Sequence, residues 1–353
     1  MSACDALIAD GRLVVCVGPG GVGKTTLAAG LAVRAAVMGR RTFVLTIDPA
    51  RRLASALGID AAHATGKHVE VALGSLGARG TLTAAMLEPR ASYDALITRI
   101  APVADRARIL DNRVYQAFSR TLARSHAYVA MEHLYDVLEG PSPPDLVILD
   151  TPPMRSALDI LDAPLALARF AEQRSLAALA GGAAGSAGAY AAGKLVGLLA
   201  GAQLGGELTT FLRTFLGLRA GFAQCVRATD RILRQDARFV LVVAPESTHL
   251  ADAEHLATGL RERGISVSAT LGNRAFTEDP RAPFAPMPKM GAMPSEPLLE
   301  RAWRRARAAE DADAARARTL AAMPGARISF PRTQVEPTDV ALLHALACSG
   351  IAS

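Results

Sequence analysis

Residues 18–26 read GPGGVGKTT, and no other stretch constrains the fold as much. Gly18, four further residues and then Gly23, Lys24 and Thr25 fit G-x-x-x-x-G-K-[ST], a loop whose backbone N–H groups cradle phosphates. Gly20, Gly21 and Gly23, set around Val22, lack Cβ atoms, so the chain can turn through positive φ and bring its amides close to an anion. In this pattern Lys24 reaches the outer phosphates and the Thr25 hydroxyl is a Mg²⁺ ligand. The flanks agree. RLVVCVG before the loop is an apolar run suited to a buried parallel strand, and KTTLAAGLAVRAAVMG after it has helical periodicity and ends at Gly39. The loop therefore opens a helix, where the dipole favours anions.

Further strands are expected at 12–18, 42–48, 69–73, 145–150, 238–244 and 266–273, separated by helical patterns. Such alternation gives an α/β fold with a doubly wound, mostly parallel sheet of P-loop type, covered on both faces. Ligands of these sheets bind beyond the carboxyl ends of the strands, where Asp48, Asp150 and Asn273 also fall. Residues 1–353 read as a single domain with helical regions at about 90–140 and 165–235, the second an inserted subdomain. In the first, Tyr128, Met131, Leu134, Tyr135 and Leu138 form one stripe that reads as core. A proline-rich loop spans 280–294, Ser295 can cap a following helix, and a strand ARISFP and helix PTDVALLHALA close the chain.

From 176 to 206 the sequence is Gly- and Ala-rich with Lys194 as its lone charge. A membrane span is disfavoured, because Gly and Ala give little transfer energy and Lys194 sits in the middle. Two readings remain: a packed helical insertion, or an apolar surface for a client protein or membrane partner. The net charge of +6 comes without a dense basic run, which argues against a nucleic-acid footprint. Cys4, Cys16, Cys225 and Cys348 are scattered without zinc-type spacing, and the N-terminus lacks a signal-peptide pattern, so cytoplasmic location with reduced thiols is expected. Lysine occurs only at 24, 67, 194 and 289. In so arginine-rich a chain, a compact ammonium at 24 suggests a specific need.

Asp48 in LTIDPARRL and Asp150 in VILDTPP each end an apolar strand, where phosphoryl transfer requires one carboxylate for the Mg²⁺ shell and one for the water. With these, the order GPGGVGKTT, LTIDPARRLASALG, YVAMEHLYDVL, DLVILDTPP, FVLVVAPE and LGNR resembles the ArsA-type ATPases, the arsenite-pump and tail-anchored-protein-targeting family, over roughly residues 10–345. The resemblance implies an ATP- and Mg²⁺-dependent hydrolase. Asp48 would orient water, Asp150 would hold Mg²⁺ through its water shell, Thr26 would meet the α-phosphate, Asn273 would read adenine, and Pro331 would belong to the segment FPRTQVEP that closes over the base. It also implies a homodimer, or a pair with a sister ATPase, handling a client or driving an anion pump.

Three departures qualify that picture. No C-x-x-C pair exists for a zinc-clasped dimer, and no cysteine cluster exists for soft As(III). Pro19 stands where the family's lysine would reach a partner's nucleotide, so slow intrinsic hydrolysis is expected; the substitute cation would be Arg51 or Arg52 across a homodimer, residues that also suit a solvated helix start, or the lysine of a sister protein. Because few bulky side chains occur in 176–206, that stretch is expected to exchange amide hydrogens fast without nucleotide and slower with ATP. Uniform protection in hydrogen-exchange mass spectrometry of the nucleotide-free protein would contradict this.

Overall fold

The computed structural model describes residues 3–47, 51–88, 97–99, 101–112, 126–153, 227–244, 247–276, 322–331 and 337–352, with a few isolated positions besides. Asp48, Cys225, the Gly/Ala-rich stretch, the proline-rich loop and the helix expected after Ser295 lie outside them.

Seven strands run parallel: β1 (Leu13–Val17), β2 (Arg41–Thr46), β4 (Thr81–Met86), β5 (Leu146–Asp150), β6 (Ala237–Val243), β7 (Val267–Phe276) and β8 (Ala326–Pro331). Two short antiparallel strands, β3 (Val69–Glu70) and β9 (Ile351–Ala352), lie at the edges. Among the described residues the order is β3-β4-β2-β5-β1-β6-β7-β8-β9. Chain connections leave β1 toward one half of the sheet and later return to the other. The crevice beyond its carboxyl end is therefore the switch point where such sheets bind ligands.

Side chains alternate faces along each strand, and in this sheet both faces are apolar. Val14, Cys16, Val44, Ile148, Val240 and Leu271 bury one face against α2 (Lys24–Val37), α3 (Arg52–Leu57) and α8 (Val340–Cys348). Leu13, Val15, Leu45, Leu149, Leu241 and Val243 bury the other against α6 (His126–Glu139) and α7 (Ser247–Glu262). The remaining described helices are α1 (Asp5–Ile8), α4 (Ala61–Ala64) and α5 (Val103–Leu110). Burial at about 25 cal/mol per Å² of apolar surface makes these two layers the main source of stability.

The small residues of α2 have a packing reason: a Cβ on Gly30 would sit 3.1 Å from the Leu343 carbonyl, so α2 and α8 approach closely. On α6, Met131, Leu134 and Leu138 of the expected stripe are buried. The strand expected at 69–73 pairs only over Val69–Glu70, and a 3-10 turn follows at Gly74–Leu76. The sequence reading missed β4, whose TLTAAM has Ala where apolar strands carry bulkier groups; its burial comes from position between β2 and β3.

One histidine pair couples the fold to pH. His133 of α6 and His68 beside β3 approach with Nε2 atoms 3.3 Å apart, and the His68 ring stands edge-on to Phe43 at 4.8 Å. Burial, reinforced by the charge of His68, pushes His133 down from its ordinary 6.5 to about 4. The unfolded chain therefore takes up a proton that the folded chain refuses, and stability falls as pH drops from 6.5 toward about 4. Urea-unfolding midpoints across this window should show the decline, and His133→Phe should flatten it.

Candidate nucleotide-binding site

The loop after β1 is shaped by two close approaches. A Cβ on Gly18 would lie 2.2 Å from the Val242 carbonyl of β6, so this glycine serves packing against the neighbouring strand. Gly23, the N-cap of α2, has φ +88°, and a Cβ there would lie 2.2 Å from Asn273 Nδ2. Gly20 and Gly21 are exposed, whereas Pro19 and Val22 are buried. The buried Lys24 ammonium donates to the carbonyls of Gly18 at 3.1 Å and Pro19 at 2.7 Å, which holds it over the loop.

Beneath the loop lies Asp150, fully buried at the end of β5. Parallel register puts Thr46 of β2 opposite it, and the Thr46 hydroxyl donates to Oδ2 at 2.8 Å. The Thr25 hydroxyl, from the first turn of α2, donates to the same oxygen at 2.7 Å. Ile47 N donates to the Asp150 carbonyl at 3.1 Å, so the residue preceding Asp48 is fixed here. Thr151 continues the strand end, with its hydroxyl donating to the Cys16 carbonyl at 2.7 Å. Burial, with the Asp150 charge adding to it, pushes the Cys16 thiol far up, so it is an inert neutral group below the site.

A cavity of about 450 Å³ opens above this layer. Gly21, Gly23, Lys24, Thr25 and Thr26 form its floor, and α3 contributes Arg52, Ser55 and Ala56. Thr151 and Pro153 after β5, Arg274 of β7, and Pro337 with Thr338 before α8 complete the wall. Sequence reasoning missed Thr46, Arg274 and Thr338, whereas Pro337 is the last residue of the FPRTQVEP segment expected to close over the base. Thr46 was legible only as a neighbour of Asp48, because its role depends on cross-strand register. Arg52, read from sequence as a cation acting across a homodimer or as a solvated helix start, lines the cavity of its own chain.

Asn273 lies against the loop: its Nδ2 donates to the Val22 carbonyl at 2.8 Å and its Oδ1 accepts from Arg274 N at 3.0 Å. Reading a base would require exchanging one of these bonds. Arg274 adopts φ +56°, a left-handed conformation that costs a non-glycine residue on the order of 1 kcal/mol or more. It lies where the β7–β8 register shifts between Gly272 and Phe276. Pro331 is the last residue of β8 and pairs with Phe276; the nearby cavity wall is made by Pro337 and Thr338.

A family model described as "Anion-transporting ATPase" matches residues 11–289. The chain belongs to the ArsA ATPase family. Membership supports ATP binding and hydrolysis, and the parallel sheet with its phosphate loop at the switch point is the α/β P-loop architecture. No individual curated protein matches the chain. Among the described residues no helix is long and apolar enough to cross a membrane, and no three His, Cys, Asp or Glu gather as metal ligands.

The ArsA-type loop leaves open space beyond Gly21, where a Cβ would meet nothing within 4 Å, as a cradle for phosphate oxygens requires. The oxygen donors Thr25 and Asp150 suit Mg²⁺, which prefers hard ligands. Gly23→Ala is expected to force a left-handed alanine against Asn273, destabilising the fold by about 1–3 kcal/mol and abolishing nucleotide binding. Thermal melts with and without a fluorescent ATP analogue would check both effects.

Proposed function

We propose that this protein binds ATP with Mg²⁺ in the cavity above Asp150 and hydrolyses it to ADP and phosphate, coupling nucleotide state to the handling of a partner or client. The observation that supports this most is the convergence of the Thr25 and Thr46 hydroxyls on buried Asp150 Oδ2, directly beneath a phosphate loop. Loop amides from Gly20 to Thr26 would cradle the phosphates, and Lys24 would exchange its loop carbonyls for phosphate oxygens. Thr25 would hold Mg²⁺ directly and Asp150 would do so through its water shell. When bound, Mg²⁺ supplies neutralisation of the developing phosphate charge.

Asp48, one residue beyond the fixed Ile47, would align the attacking water with the γ-phosphorus. The water oxygen forms the new P–O bond, the bond to the β-phosphate oxygen breaks, and the proton leaves toward phosphate or solvent. Asn273 would read the adenine edge and Pro331 would belong to the closing segment, by the family resemblance. The same resemblance supports a cytoplasmic protein working as a homodimer or beside a sister ATPase.

A second reading, a low-turnover regulatory subunit, is favoured by Pro19, a buried ring that offers no charge to a neighbouring active site. Substitution separates the roles in the first reading. Lys24→Ala is expected to weaken ATP binding by about 10- to 100-fold or more, as loss of charge-assisted phosphate bonds implies. Asp48→Asn is expected to bind normally and lose about 100-fold or more in turnover. Equilibrium binding and phosphate release measured on both variants would test this, and an Asp48→Asn protein turning over like the parent would refute the water-positioning role.

A further inference from the structure

Among the described residues, those lining the cavity carry three cations, Lys24, Arg52 and Arg274, and no carboxylate. Asp150 lies below the floor with Oδ2 already engaged by two hydroxyls. Lys24 is drawn back onto the loop, through the carbonyls of Gly18 and Pro19. A triphosphate carries more negative charge than one ammonium and one divalent ion neutralise, and a buried proline at 19 adds none. The two arginines reach the wall from different elements, Arg52 as the first residue of α3 and Arg274 from the irregular end of β7.

Arg274 is also tied to the phosphate loop. Asn273 accepts the Arg274 backbone N–H with Oδ1 and donates from Nδ2 to Val22, so two hydrogen bonds link the arginine's backbone to the loop. The left-handed backbone at Arg274 is held by that same side chain. Both arginines are exposed and both line the cavity, so their truncation removes no packed core. The fork matches two phosphate oxygens at once, which a lysine ammonium does not.

We propose that Arg52 and Arg274 clamp the nucleotide's phosphate chain within a single subunit, supplying in cis the charge that Lys24 alone does not. This rests on the nucleotide reading above and goes beyond it by assigning two phosphate-binding residues and removing the need for a cation from a second chain. Arg52 acts from the α3 side and Arg274 from the β7 side, so the clamp closes on the phosphates from two directions.

The test is equilibrium binding of fluorescent ATP, ADP and AMP analogues with Mg²⁺, across protein and salt concentrations, for the parent, Arg52→Ala, Arg274→Ala, Arg274→Gln and Lys24→Ala. Each arginine variant is expected to weaken ATP binding by about 10- to 100-fold, as loss of charge-assisted hydrogen bonds implies. The loss should shrink from ATP to AMP and come with a shallower salt dependence, while circular dichroism stays that of the parent. Arginine variants that bind ATP as tightly as the parent, with Lys24→Ala alone losing it, would overturn the clamp and leave the nucleotide reading standing. Lys24→Ala binding like the parent would bring down both. ATP affinity that rises with parent protein concentration and persists in the arginine variants would place the missing charge on a second chain and overturn the cis assignment.

Discussion

Everything at the site depends on one buried carboxylate. Asp150 stands at the end of β5 with no exposed surface, and two hydroxyls from different elements donate to a single one of its oxygens. A charge taken out of water at that depth is tolerable only if it is hydrogen-bonded. The Thr25 bond fixes the first turn of α2 and the Thr46 bond fixes the end of β2, so one anion sets the mutual position of the phosphate loop and the segment leading to Asp48. The backbone bond from Ile47 to the Asp150 carbonyl closes the same junction.

The sheet makes this junction possible. β1 lies between β5 and β6, so the loop leaving it has a strand end on each side, and both strand ends shape it. On the β6 side, the Val242 carbonyl leaves no space for any side chain at position 18. On the β5 side, Asp150 supplies the acceptor below Thr25. From farther along, β7 sends Asn273 over to Gly23, where a Cβ would collide with it. The glycines therefore have two different physical origins. Gly21 faces open space as a phosphate cradle needs, while Gly18 and Gly23 are required by neighbouring protein atoms.

The fold class and the centre of the site were legible because they rest on local patterns. Apolar strand runs, a glycine loop and a helix of small residues occupy consecutive positions, and β1, β2, β5, β6, β7 and β8 lie close to where the runs indicated. The β4 strand was not legible, because Thr and Ala carry little β-signal and its burial comes from neighbours distant in sequence. The same limit governed Arg52. Its place after the LTIDPA motif suggested a cation, but only the return of α3 onto α2 decided that it faces its own subunit's cavity.

By itself the sequence determined the α/β class, the phosphate loop, the strand ending in Asp150 and the resemblance to ArsA-type ATPases, since each is written in a contiguous run of residues. Tertiary structure alone decided that Thr46 shares the oxygen bound by Thr25, that Asn273 braces the loop at Val22 and Gly23, and that Arg274 and Thr338 line the cavity. Those facts depend on strand order, register and crossover, which bring Asn273 to Val22 across 251 positions of chain. Hydrophobic periodicity specifies which face of an element is buried, but not which distant element will cover it.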